Sequence, residues 1–81
     1  MKLPRDMSGR QLAQRLERAY GYSRIHQRGS HIIVQVDTPT RHRLTIPDHT
    51  SLRPGTLNAI LRGVARARQS TKETVLRAVL R

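Results

Sequence analysis

Eighty-one residues suffice for one small domain, and a chain of that size buries only about 60 to 65% of the surface its unfolded form exposes. There is no cysteine, which excludes a disulfide framework and a thiolate metal site, and no apolar run approaches the ~18 residues of a membrane span. Sixteen Lys and Arg against five Asp and Glu give a formal charge of +11, and fourteen of the sixteen are Arg, so the expected partner is a polyanion: nucleic acid first, an acidic protein second.

The chain reads as a cytoplasmic protein, since the absence of cysteine suits a reducing compartment and the N-terminus carries no apolar signal segment. With no Trp or Phe and only two Tyr, it lacks the aromatic platform on which single-strand binders stack bases. Contacts to a nucleic acid therefore fall to arginines and backbone amides.

Met1 to Met7 is a short lead-in, and Pro4 argues against an early helix. Ser8 with Gln11 three residues on forms a capping box, and Leu12, Ala13, Leu16, Ala19 and Tyr20 then mark one face of a helix from Gly9 to Tyr20, stopped by Gly21. The outer face carries Arg10, Gln14, Arg15 and Arg18. Two uses are open for these: contact with phosphate, or hydration of the helix.

A first strand is expected over Tyr22–Gln27, with Ile25 as its clearest core residue, and Arg28-Gly29 turns it into a second strand over Ser30–Asp37. In the second strand Ile32, Val34 and Val36 share one parity, while His31, Ile33 and Gln35 share the other. Successive strand side chains face opposite ways, so the first set faces the core and His31 the open side. The preceding Gly29-Ser30 offers a small, polar approach to that imidazole. A solvated strand histidine and a site for chemistry are both compatible with this placement.

Asp37-Thr38-Pro39-Thr40 is a turn, and Arg41–Ile46 alternates Arg43 and Thr45 against Leu44 and Ile46 as a third strand that ends at Pro47. A three-stranded antiparallel meander follows. After a polar connection, Leu57, Ile60, Leu61 and Val64 mark a second helix over Pro54–Val64, with Pro54 in its first turn. Its free N-terminal amides near Gly55, beside Arg53, form a candidate phosphate seat. A second capping box at Ser70-Thr71-Lys72-Glu73 opens a third helix over Thr71–Leu80, which either packs on the domain or serves a partner.

The four histidines make no i, i+4 pair on a helix and the five carboxylates are scattered, so no metal-ligand pattern is present. Ser30 lacks the strand-to-helix elbow of a serine nucleophile. No cofactor is expected.

The whole is an α+β chain, helix, three strands, helix, with both helices on one face of the sheet and an added C-terminal helix over 71–80, all in a single domain spanning 1–81. That order resembles the double-stranded-RNA-binding domain. Gly21-Tyr22, Gln27-Arg28-Gly29-Ser30-His31, Thr45-Ile46-Pro47-Asp48-His49 and Leu52-Arg53-Pro54-Gly55-Thr56-Leu57 with Ile60-Leu61 together resemble the HicA toxins of bacterial and archaeal HicAB toxin–antitoxin modules, over residues 8 to 65. The tail from Arg66 to Arg81 extends beyond that pattern.

The resemblance implies an mRNA-cleaving endoribonuclease toxin with a double-stranded-RNA-binding-like fold, with His31 catalytic and a HicB-like antitoxin as its inhibitor. The chemistry is compatible. RNA cleaves itself when a 2′-hydroxyl attacks the neighbouring phosphorus, so a protein need only move protons and stabilise phosphoryl charge, without a metal. His31 suits the first task, with Gly29 and Ser30 shaping the approach. Arg28, Arg43 and Arg53 suit the second, Arg43 most of all because its parity puts it on the face of His31. His49 is the motif's candidate for a second proton-transfer group, whereas His26 and His42 read as surface or structural residues. A non-catalytic RNA-binding module of the same fold would need the basic surface alone.

Overall fold

The computed structural model describes residues 3–81, so the first two residues of the Met1–Met7 lead-in lie outside it. The order is α1 (Gly9–Tyr20), β1 (Ser23–Arg28), β2 (His31–Val36), β3 (His42–Pro47), α2 (Pro54–Ala67) and α3 (Lys72–Leu80). The strands form one antiparallel sheet in the order β1-β2-β3, and the helices cover one of its faces. This is the α+β, double-stranded-RNA-binding-like arrangement expected.

Local chemistry sets most of the boundaries. Ser8 caps α1 through both halves of the capping box, its hydroxyl accepting from the Gln11 N–H at 3.0 Å and its own N–H donating to Gln11 Oε1 at 2.9 Å. Gly21, at φ +81°, ends the helix in the left-handed region and returns its N–H to the Glu17 carbonyl. One apolar stripe, Leu12, Ala13 and Leu16, is buried against the sheet. It meets Ile32, Val34 and Val36 of β2 and Ile46 of β3 in a core that also holds Tyr22, Leu52, Leu57, Leu61 and Val64. Each such aliphatic side chain contributes about 1.5–3 kcal/mol on leaving water.

Ile25 departs from expectation. It is 44% exposed. The pairing of β1 with β2 slips between Arg24 and His26, so one extra residue enters the edge strand there and Ile25 loses its place in the alternation. Tyr22, just before the strand and fully buried, fills the core instead.

Two further corrections lie in the C-terminal third. Helix α2 runs to Ala67 rather than Val64, because Ala65-Arg66-Ala67 offers no glycine or proline to stop it. It ends where Gln69 turns to φ +52°, with the Ser70 N–H on the Ala65 carbonyl at 2.8 Å and the Gln69 N–H on the Arg66 carbonyl at 3.3 Å. That is a Schellman ending built without its usual glycine. Helix α3 is capped by Thr71, whose hydroxyl accepts from the Thr74 N–H at 3.1 Å; Ser70 and Glu73 do not form the expected box.

Helix α3 packs on the fold. Val75, Leu76 and Val79 are buried in the common core against α1 and α2. Arg15 Nη1 donates to the Val79 carbonyl at 2.8 Å, and Arg18 reaches the Arg81 carbonyl. Two arginines of α1's outer face thus satisfy carbonyls at the end of α3, where helices leave acceptors unpaired and favour cations.

Candidate functional site

Strand β2 is central, so its first residue is flanked on both sides. His31 lies opposite Arg28 of β1 and Pro47 of β3. Only Gly29 and Ser30 separate Arg28 from His31, and Gly29 sits at φ +55°, the positive value that the first residue of a type II′ hairpin turn needs. A Cβ there would meet nothing within 4 Å, so the demand for glycine is conformational rather than steric.

The register fixes what else shares the open face. His31 stands with Arg28 and Pro47, then Ile33 with His26 and Thr45, then Gln35 with Ser23 and Arg43. No carboxylate occurs among these nine positions. His31, Arg28, His26 and Arg43 are all exposed, whereas Ile32, Val34 and Val36 between them are buried. Gly29 and Ser30 are exposed too, leaving the approach to the imidazole open.

Arg43 shares the face of His31 but not its end. It pairs with Gln35, whose Oε1 accepts its Nε at 3.0 Å. It stands four residues from Pro47 along β3, about 13 Å at ~3.3 Å per residue. Arg28, the direct neighbour across the strand pair, is the arginine that the structure brings to His31. Arg53 is the N-cap of α2 and offers no side-chain cap; with Gly55 it leaves the first-turn amides exposed, and among the described residues no hydrogen bond ties it to the hairpin turn.

His49 reaches the same end of the molecule by a different route. The Asp48 N–H donates to the Ser30 carbonyl at 2.7 Å, and the His49 carbonyl accepts the Gly9 N–H at 2.9 Å. Its side chain is exposed in an open groove with Asp6, Ser8, Arg10, Gln11, Asp48 and Thr50, on the helix side; His31 is not part of that lining. Gly9 lies so close to the Pro47 carbonyl that a Cβ there would collide with it.

Between these residues sits a carboxylate that sequence reasoning passed over. Asp48 accepts Arg10 Nε at 3.1 Å and Gln27 Nε2 at 3.1 Å. The hydrogen-bonded Arg10 guanidinium holds the Asp48 carboxyl below the usual carboxylate range, with Gln27 and the charge of Arg24 adding to the effect. The only local signal was that Gln27 and Asp48 each stand inside a motif with a histidine. Their pairing with Arg10, 38 residues from Asp48, is tertiary.

His42 has a different setting. It opens β3 opposite Val36, on the core side, and its Nδ1 shares a hydrogen bond of 2.7 Å with the Tyr22 hydroxyl. Burial lowers the pKa of His42 and raises that of Tyr22, so both are neutral at neutral pH. Among the described residues no side chain hydrogen-bonds the imidazole of His31 or His49, and no three His, Asp or Glu side chains gather into a metal-binding group.

The fold and the exposed sheet face, whose nine paired positions hold no carboxylate, define a small basic α+β protein of the double-stranded-RNA-binding-like class. A family described as HicA toxin of bacterial toxin–antitoxin systems matches residues 9–64, more than half of the chain, and the chain belongs to it. It is thus a toxin of a toxin–antitoxin system, with a cognate antitoxin as its partner. Helix α3 lies beyond the matched residues. No curated protein and no solved structure gives a significant match. No helix is long and apolar enough to cross a membrane among the described residues.

Proposed function

We propose that the protein is a metal-independent endoribonuclease that cleaves mRNA with His31 as its catalytic group and is neutralised by a HicB-like antitoxin. The observation that carries this reading is the placement of His31: exposed, at the head of the central strand, beside Arg28, with no carboxylate among the paired positions of its face, in a chain of the HicA toxin family.

The reaction asks little of the protein. The RNA 2′-oxygen attacks the adjacent phosphorus, the bond from phosphorus to the 5′-oxygen breaks, and the products are a 2′,3′-cyclic phosphate and a 5′-hydroxyl. One proton leaves the 2′-hydroxyl and one reaches the departing 5′-oxygen. An imidazole carries either proton near neutral pH, a step worth ~10²–10⁴ in rate. Arg28 is placed to stabilise the phosphoryl oxygens. His49 is the candidate for the second proton, on condition that RNA bridges the sheet face and the groove. Arg43, Arg53 and the amides near Gly55 lie further out, as grips on more distant phosphates. A chain of charge +11 acts in the cytoplasm among RNA and needs a partner that covers it; an acidic antitoxin over the His31 face does so most directly.

One observation favours a second reading, a non-catalytic RNA-binding module: among the described residues no side chain hydrogen-bonds the His31 imidazole. Catalytic hydrogen bonds often tighten only when substrate is bound, which keeps the first reading ahead. Cleavage of RNA by wild type in the presence of EDTA, and its loss in a folded His31→Ala variant that still binds RNA, is the expected result. RNA binding without cleavage by either protein would leave the binding module standing, and equal cleavage by the two would remove His31 from the chemistry.

A further inference from the structure

Three segments far apart in the chain meet beneath the His31 turn, and a single carboxylate joins them. Asp48 accepts Arg10 from α1 through Nε at 3.1 Å and Nη2 at 3.3 Å, and Gln27 from the end of β1 at 3.1 Å. Its own N–H holds the Ser30 carbonyl at 2.7 Å, one residue before His31. We propose that Asp48 is a positioning residue for the reaction at His31: its carboxylate clamps the free end of the hairpin to the start of α1 and so sets where the imidazole meets RNA. This rests on the ribonuclease reading above.

The clamp acts on the hairpin from outside its own ladder. Strand β1 is an edge strand with a register slip between Arg24 and His26; from His26 the pairing resumes and runs to Arg28 opposite His31, so the turn end is one paired unit whose seat on α1 must be set by other contacts. Among the described residues the one side-chain hydrogen bond within the turn itself is from Gln27 Nε2 to the Gly29 carbonyl, at 3.5 Å. Misplacing a catalytic group by ~1 Å can cost ~10²-fold in rate, which gives the clamp its function.

Stability alone does not account for the arrangement. The Asp48 side chain is 16% exposed but that of Arg10 is 69% exposed, and an ion pair so open on one side contributes modestly to folding. Its charge also works against the site, since a carboxylate beside a phosphate-binding face repels the substrate. A carboxylate retained there against that repulsion fits a geometric role better than a binding one.

The opposition between geometry and charge gives the test its distinguishing readout. Steady-state cleavage of an RNA oligonucleotide is measured for wild type, Asp48→Asn, Arg10→Gln, the double variant and His31→Ala, each with a thermal melt by circular dichroism. Asp48→Asn is expected to lower kcat about ten-fold while KM holds or falls, because the clamp loosens as a repelling charge disappears. Arg10→Gln should lower kcat comparably, and the double variant should be no worse than either single one, since all three break the same contact. A loss of folded protein would instead reduce activity in step with the melt and leave KM alone. Wild-type kcat in Asp48→Asn, or additive losses in the double variant, would overturn the proposal while an inactive His31→Ala kept the ribonuclease reading intact. An active His31→Ala would overturn both.

Discussion

His31 and His42 occupy opposite ends and opposite faces of the same sheet, and the contrast between them separates structure from chemistry. His42 pairs with Val36 at the far end of β2, turned toward the core, with the Tyr22 hydroxyl on its Nδ1. His31 opens β2, turned toward solvent, with no side-chain partner among the described residues. A histidine that is partly buried, hydrogen-bonded and held neutral serves the fold. One that is exposed beside an arginine is available to a substrate. The backbone around His31 is nevertheless the more firmly tied of the two surroundings, through Asp48, Gly9, Arg10 and Gln27.

The comparison can be broken most forcefully at the His42 end. Replacing fully buried Tyr22 with Ala should destabilise the protein by about 3–5 kcal/mol, as for other buried aromatic residues, and unfold much of it at 37 °C. Leu76→Ala in α3, also buried, should cost about 2–5 kcal/mol, which a helix held only for a partner would not. Chemical denaturation measures both.

At the other end the expected effect is smaller and has a different cause. Gly9→Ala sets a methyl group against the Pro47 carbonyl, so α1 or the Pro47–His49 segment must shift, at about 1–3 kcal/mol. Its cleavage rate should fall further than the lost folded fraction explains, because the displaced segment carries Asp48.

Acid sharpens the contrast. Burial lowers the pKa of His42 in the fold, so the unfolded chain takes up a proton more readily than the native one. Stability is therefore complete above pH ~6.5 and declines as the pH falls from there toward the lowered value. Asp48 adds a second loss in stronger acid, as the pH falls from the ordinary carboxylate range through its depressed pKa. Denaturation midpoints from pH 8 to 5 should show the first decline in wild type and not in His42→Gln.

Tyr22→Phe removes the hydroxyl alone and should cost about 1 kcal/mol, with cleavage unchanged. Smallest of all, Gln69→Gly should stabilise the protein by up to about 1 kcal/mol, by placing glycine where the chain already adopts φ +52°.

These residues also mark where the sequence was legible. The bounds of α1 follow from Ser8, Gln11 and Gly21, which act within a few residues of themselves, and the parity of Ile32, Val34 and Val36 gave β2 and the open face of His31. Ile25 misled because its apolar side chain carries no sign of the register slip, which arises from pairing with another strand. The extra turn of α2 was hidden because its left-handed ending uses Gln69 instead of glycine. Arg15 and Arg18 looked like phosphate contacts or hydrated charges, since nothing nearby in the chain foretells that the end of α3 lies against them. The Arg10–Asp48–Gln27 clamp is legible only in three dimensions, for the same reason.

The central claim is that His31 performs chemistry and His42 does not, and RNA cleavage by His31→Ala beside His42→Gln tests it most directly. Circular dichroism fixes the folded fraction of each. The account predicts that His31→Ala loses at least about 100-fold in cleavage per folded molecule, while His42→Gln cleaves at the wild-type rate per folded molecule despite its lower stability. Equal rates for the two variants would contradict it.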